Sequence, residues 1–213
     1  MNPQFEKNAG IALIVFTILM TFTMVLHPAG GSFEYLLKVK MRIITTHAIA
    51  LCSLPFALVG FWGLTRKLGT EYLLSVSALA TMIFGLIAVM MAATVNGLVL
   101  PIFIQRYEGA SPEVIESLKP LLRYNFSINN AFDYIYTAAF CLAILFWSIA
   151  IIRTRKLPVS LAYAGLVLSV IAAVIFEAGF AGHLGGFRLF VTSIVIWILL
   201  VGLLLARTRA NIP

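Results

Sequence analysis

The chain has 213 residues, 62% of them hydrophobic and 11% charged, where a soluble domain carries roughly 25% charged residues. That composition excludes an ordinary soluble domain and leaves a polytopic membrane protein. The net charge of +7 does not make a nucleic-acid surface, because the Lys and Arg residues stand in ones to threes at the ends of apolar runs, where they anchor and orient helices.

A short polar start with Lys7 leads into an apolar run over 9–26, the first span. A cleaved signal would look similar, but a pair of small residues three apart before a cut is not obvious around HPAGGS, and the run is read as the first span. The second span covers 43–64 and stops on Arg66 and Lys67; the third covers 72–100, with Asn96 and Gly97 near its end and Pro101 closing it. In the loop that follows, Ser111 is an N-cap, Pro112 a first-turn residue, and Val114, Ile115, Leu118, Leu121 and Leu122 recur at helical spacing. This predicts a short surface helix, bent or ended by Pro120. The fourth span, 126–152, gives the clearest signal, with a polar start, one acid at Asp133, about nineteen apolar residues and a stop on Arg153, Arg155 and Lys156. Pro158 opens a fifth over 158–180, and a sixth over 189–206 stops on Arg207 and Arg209. The expected fold is an all-α integral membrane protein, one domain over 1–213, with six transmembrane helices and a surface helix in the third loop.

Six crossings put both termini on one side. Lys7, Arg66, Lys67, Arg153, Arg155, Lys156, Arg207 and Arg209 abut that face, against Lys38, Lys40, Arg42, Arg106, Lys119, Arg123 and Arg188 on the other. The second set is diluted by Glu34, Glu108, Glu113 and Glu116 in longer loops, so the tight basic turns place both termini in the cytoplasm. A displacement of 89 residues superposes Cys52 on Cys141 and Thr65–Leu68 on Thr154–Leu157, both TRKL. Duplication explains this, and so does the need for a basic turn after any apolar helix. Both cysteines lie in apolar runs, at depths that permit a bridge and equally suit small hydrophobes.

Polar groups inside a bilayer are costly and face the protein interior. The candidates are His27, Thr45, Thr46, His47, Asn96, Asn129, Asn130, Asp133, Glu177 and His183, all on the outer half. At 1.5 Å per residue His47, Glu177 and Asp133 lie roughly 27 to 32 Å from the inner helix ends, at the rim of a 30 Å core. Solvation at the interface accounts for each of them singly. Their shared level instead predicts a shallow outward-facing pocket lined by His47, Asn96, Asn130, Asp133 and Glu177, with Asn129, Asn130 and Asp133 on one helix face.

The sequence names no cofactor. Three His and two acids at one level suit a metal, yet no HExxH or paired-Cys spacing specifies one, and bis-imidazole haem ligation needs two His on facing helices. No GxSxG or P-loop is present; Ala178, Gly179, Ala181 and Gly182 read as a small-residue packing surface. Trp62, Trp147, Tyr72 and Tyr163, with Tyr35, Tyr107, Tyr124, Tyr134 and Tyr136 at the other ends, read as interfacial belts. Three classes of function stay open: binding of a small ligand, ion or lipid headgroup, with or without transport or sensing; a metal- or haem-dependent membrane enzyme; and a structural or accessory subunit. The lipid bilayer is the expected partner, and nothing in the chain sets its oligomeric state.

Overall fold

The computed structural model describes residues 2–177 and 184–207, all helix and connecting turns. Helix α1, Pro3–Leu26, starts where the Asn2 side chain accepts from Gln4 N at 2.9 Å and Pro3 stands in the first turn. It stops before Pro28, which disfavours a helical residue ahead of it. A short helix α2, Phe33–Lys38, capped by Ser32, precedes α3, Lys40–Leu68, which ends on Gly69 at φ +116°, a conformation that favours glycine.

The third expected span does not close at Pro101. Helix α4, Leu73–Thr94, passes through a π turn, Val95–Val99, into α5, Leu100–Gln105. The widened turn ahead of Pro101 accommodates its ring and missing N–H, so the helix continues where a regular one would break. Nor is there a separate surface helix. Ser111 and Pro112 open a helix as expected, but that helix is α6, Pro112–Thr154, 43 residues in one piece with Pro120 inside it. Leu118 and Leu122 carry the apolar face across Pro120 into a small core with Phe33, Leu36, Ile43, Leu100 and Ile104, which keeps the helix continuous. At 1.5 Å per residue α6 is roughly twice as long as a bilayer core is thick. Helices α7, Val159–Glu177, and α8, Leu184–Ala206, follow. Among the described residues five helices are long and apolar enough to cross a membrane, α1, α3, the run Leu73–Gln105, α6 and the Arg188–Ala206 part of α8; α7 is a shorter apolar helix.

Close approaches order the bundle. At one end α1 runs between α3 and α8 over small residues: a Cβ on Gly10 would collide with the α8 backbone at Gly202 and Ala206, and one on Gly63 with Ala9. Both described chain ends therefore share this end, the terminal end. Glu6, 4% exposed, pairs there with Lys67 at 2.5 Å, and the Arg66 guanidinium sits 5.0 Å over the Phe5 ring. The start expected to be merely polar thus carries a buried carboxylate. Substituting Glu6→Gln is expected to cost about 1.5 kcal/mol, since a buried hydrogen bond to a charged group is lost; an unchanged melting temperature would count against this pair.

The main core lies behind that end. Trp147 is fully buried, stacked on Phe61 at 5.0 Å, and donates to Thr65 Oγ1 at 3.3 Å. Trp147 and Tyr136, read from the sequence as belt residues, are core residues, because each falls on the face of α6 turned into the bundle; Trp62, Tyr72 and Tyr163 remain exposed. Cys52 and Cys141 are free thiols. The two TRKL stops differ in geometry, the first ending on Gly69 and the second on Arg155 at φ +51°.

Candidate functional site

The far end, opposite the termini, gathers the polar residues. Helix α1 has no basic residue in its last turn, so its terminal carbonyls need donors from elsewhere. Arg42 of α3 donates from Nε to Leu26 O at 2.7 Å, and Arg188 of α8 from Nη2 to His27 O at 3.0 Å. Neither guanidinium forms an ion pair with a described carboxylate, and the Nε of Arg188 is buried without a partner among the described residues.

The His27 ring lies 5.1 Å from the His47 ring, tilted by 59°. Each histidine has its Nδ1 on a backbone carbonyl, Pro28 O at 2.9 Å for His27 and Ile43 O at 2.8 Å for His47. In the neutral ring this fixes the proton on Nδ1 and leaves Nε2 as the lone-pair acceptor. His47 is buried against Gly97, where a Cβ would overlap its ring; the π turn and the missing side chain together admit the imidazole. The neighbouring Asn96 accepts from Asn125 Nδ2 of α6 at 2.8 Å. One turn further along α6, Asn129 donates to Asp133 Oδ2 at 2.9 Å.

The five residues singled out by the sequence are not placed alike. His47 and Asn96 are brought together through Gly97, whereas Asn130 is exposed and Asp133 is half-buried, its recorded hydrogen bond being to Asn129 of the same helix. Glu177 closes α7, but its side chain lies outside the described residues, as do the whole of His183 and the Ala178–Gly182 segment. Sequence reasoning did not join Arg42, Arg188 and Asn125 to this layer. The signal available for the arginines was a helix ending at a proline with no cation of its own.

Two grooves are found among the described residues. One of about 510 Å³ lies between the entry to α2 and the first turns of α6, lined by Glu34, Glu116, Lys119, Arg123 and Phe126 among others. The other, of about 420 Å³, is apolar and runs between α7 and α8 past Tyr163, Val167, Ile171 and Phe190. Neither is lined by His47, Asn96, Asn130 or Asp133.

Burial, followed by the nearby His47 ring, lowers the His27 pKa from 6.5 to about 4, against the pull of the Pro28 carbonyl; Arg188 and Arg42 push the same way as burial. A base with a depressed folded pKa stays neutral while the unfolded chain takes up a proton below 6.5, so stability falls as pH drops from about 6.5 toward 4. His27 alone is expected to contribute a loss of up to about 3 kcal/mol over that window. Melting temperatures of wild type and His27→Gln across it check this; parallel curves would contradict it.

Among the described residues no group of three His, Cys, Asp or Glu is arranged to hold a metal. The His27 and His47 ring centroids, 5.1 Å apart, are too close for a haem between them. No protein family, curated protein or solved structure matches this chain.

Proposed function

We propose that this is a six-span membrane protein that binds a small polar or charged ligand at the end away from its termini, with His47, Asn96, Asn130, Asp133 and Glu177 contributing to the pocket. In this reading α7 is the sixth crossing: its 19 described residues amount to about 28 Å at 1.5 Å per residue. Both termini face the cytoplasm, following the basic turns at Arg66, Lys67, Arg153, Arg155 and Lys156.

One observation carries the ligand reading. His47 of α3, Asn96 of the π turn and Asn125 of α6 meet through Gly97 and a 2.8 Å hydrogen bond, joining three helices in a polar layer. A π turn retains carbonyls and a register that a plain helix would not, and such turns recur where helices hold ligands. Polar groups at this depth are expensive to keep unless they serve a partner. The shortage of polar residues nearer the bilayer centre favours binding over alternating-access transport.

The enzyme reading retains one supporting feature, the two imidazoles held at Nδ1 by backbone carbonyls with no Nε2 partner among the described residues, as metal-ligating histidines commonly are. The adjacent Arg42 and Arg188 weigh against it, because two cations repel a third.

A thermal-shift panel on purified protein tests the binding reading, with amino acids, short carboxylates, inorganic phosphate, choline, calcium and zinc as probes. At least one probe is expected to raise the melting temperature of wild type and to lose that effect in His47→Asn or Asp133→Asn. Variants that follow wild type with every probe would overturn it.

A further inference from the structure

The termination of α1 leaves more cationic hydrogen-bonding capacity at the far end than the helix uses. Arg42 and Arg188 come from helices far apart in the sequence and meet adjacent carbonyls, Leu26 O and His27 O. Each spends one N–H there, and a guanidinium has several more in the same plane. Arg42 is exposed, so its remaining N–H groups are accessible, while Arg188 is half-buried with its Nε shielded from water and unpartnered among the described residues. A buried donor without an acceptor costs free energy comparable to a lost hydrogen bond, and two guanidiniums without a described carboxylate add charge repulsion. Water can meet the first cost; only an anion meets both.

We propose that Arg42 and Arg188, which donate to consecutive carbonyls at the end of α1, form a binding site for a phosphate group. Planar forks from two directions suit a tetrahedral oxyanion, which offers acceptors to both at once. The neutral His27 imidazole completes the chemistry. His27 keeps its proton on Nδ1, and its Nε2 acceptor, in the field of both arginines, suits a free phosphate that still carries a hydroxyl, which a phosphodiester headgroup lacks. The proposal rests on the ligand-binding reading above and names its ligand class. The phosphate comes either from a phospholipid headgroup at the membrane rim or from a free small molecule, and the same donors serve both.

The test uses the full chain in lipid-free maltoside micelles, with melting temperature as the readout. Inorganic phosphate is titrated against chloride at matched ionic strength, and phosphatidylglycerol is added to the micelles in a separate series. Saturable stabilisation by inorganic phosphate identifies a free phosphate ligand; stabilisation by phosphatidylglycerol alone identifies the headgroup. In either case Arg42→Gln and Arg188→Gln are each expected to raise the half-saturating concentration at least about tenfold. Arg188→Lys, which keeps the charge but not the fork, should restore only part of the effect, and Lys119→Gln should respond as wild type. Should Arg188→Gln fail to fold, exposed Arg42 and the lysine variant still decide.

The proposal is overturned if neither probe exceeds chloride, or if both arginine variants respond as wild type. If the arginine variants respond as wild type while His47→Asn or Asp133→Asn abolishes stabilisation by some other probe, the phosphate assignment falls and the wider binding reading stands. If no probe of either experiment registers on wild type, both fall.

Discussion

Trp147→Ala is expected to destabilise the protein by about 4 kcal/mol. The indole is fully buried, lies flat on Phe61 at 5.0 Å with 19° between the rings, and reaches Thr65 Oγ1 at 3.3 Å. Truncation opens a cavity among Phe61, Ile144 and Ile151, which belong to the same core, and leaves the Thr65 hydroxyl without its donor. These losses differ in kind and can be separated. Trp147→Phe keeps a ring against Phe61 but loses the N–H and part of the indole volume, so it should cost less, about 2 kcal/mol. Unfolding in mixed micelles under increasing denaturing detergent measures both; equal costs for the two variants would mean that the hydrogen bond, not the packing, carries the effect.

Gly10→Val is expected to cost about 3 kcal/mol, and to disrupt the α1–α8 seam rather than the core. A Cβ at residue 10 would run into Ala206 N and Gly202 O, which are backbone atoms of α8 and cannot rotate away. The helices must part, and with them the Gly60 and Gly63 approaches of α3 to α1 on the other side. This close packing of small residues is how helices associate in lipid, where no hydrophobic gain drives them together. Gly30 is the matched control, with nothing within 4 Å of an added Cβ, so Gly30→Ala should melt as wild type. If Gly10→Val melts with it, the seam is looser than described.

Much of the architecture could be read from apolar runs and their basic stops, because length and charge are local properties. A helix does open at Ser111 and Pro112, while α3 and α6 run on to Leu68 and Thr154, a few residues past the expected ends at 64 and 152. The prolines were misleading for a physical reason. Pro101 and Pro120 each remove one hydrogen bond, but a π turn ahead of the first and an apolar face running through the second compensate, and neither compensation shows in a dipeptide. Trp147 and Tyr136 were assigned to a belt from depth alone, whereas the angular position of each residue around α6 decides between lipid and core.

At the far end, single residues were legible and their partners were not. His47 and Asn96 stand out as polar groups in apolar runs. The partners of α1's last carbonyls are Arg42 and Arg188, the latter 161 residues from its acceptor, and no spacing rule spans that distance. Both arginines passed for ordinary interfacial anchors, since a cation at a helix end is what a membrane protein needs anyway. Asn125 was hidden similarly, as one more polar residue ahead of a span.

Asn96 gives the most direct test of the claim that the far end holds a water-accessible polar layer. The protein carrying Asn96→Cys on a background of Cys52→Ser and Cys141→Ser is sealed into vesicles, and a membrane-impermeant maleimide is added on one side at a time, with exposed Asn130→Cys as the reference. The account expects residue 96 to react from the side opposite the termini, more slowly than residue 130. No reaction from either side, or reaction only from the side of the termini, would contradict it.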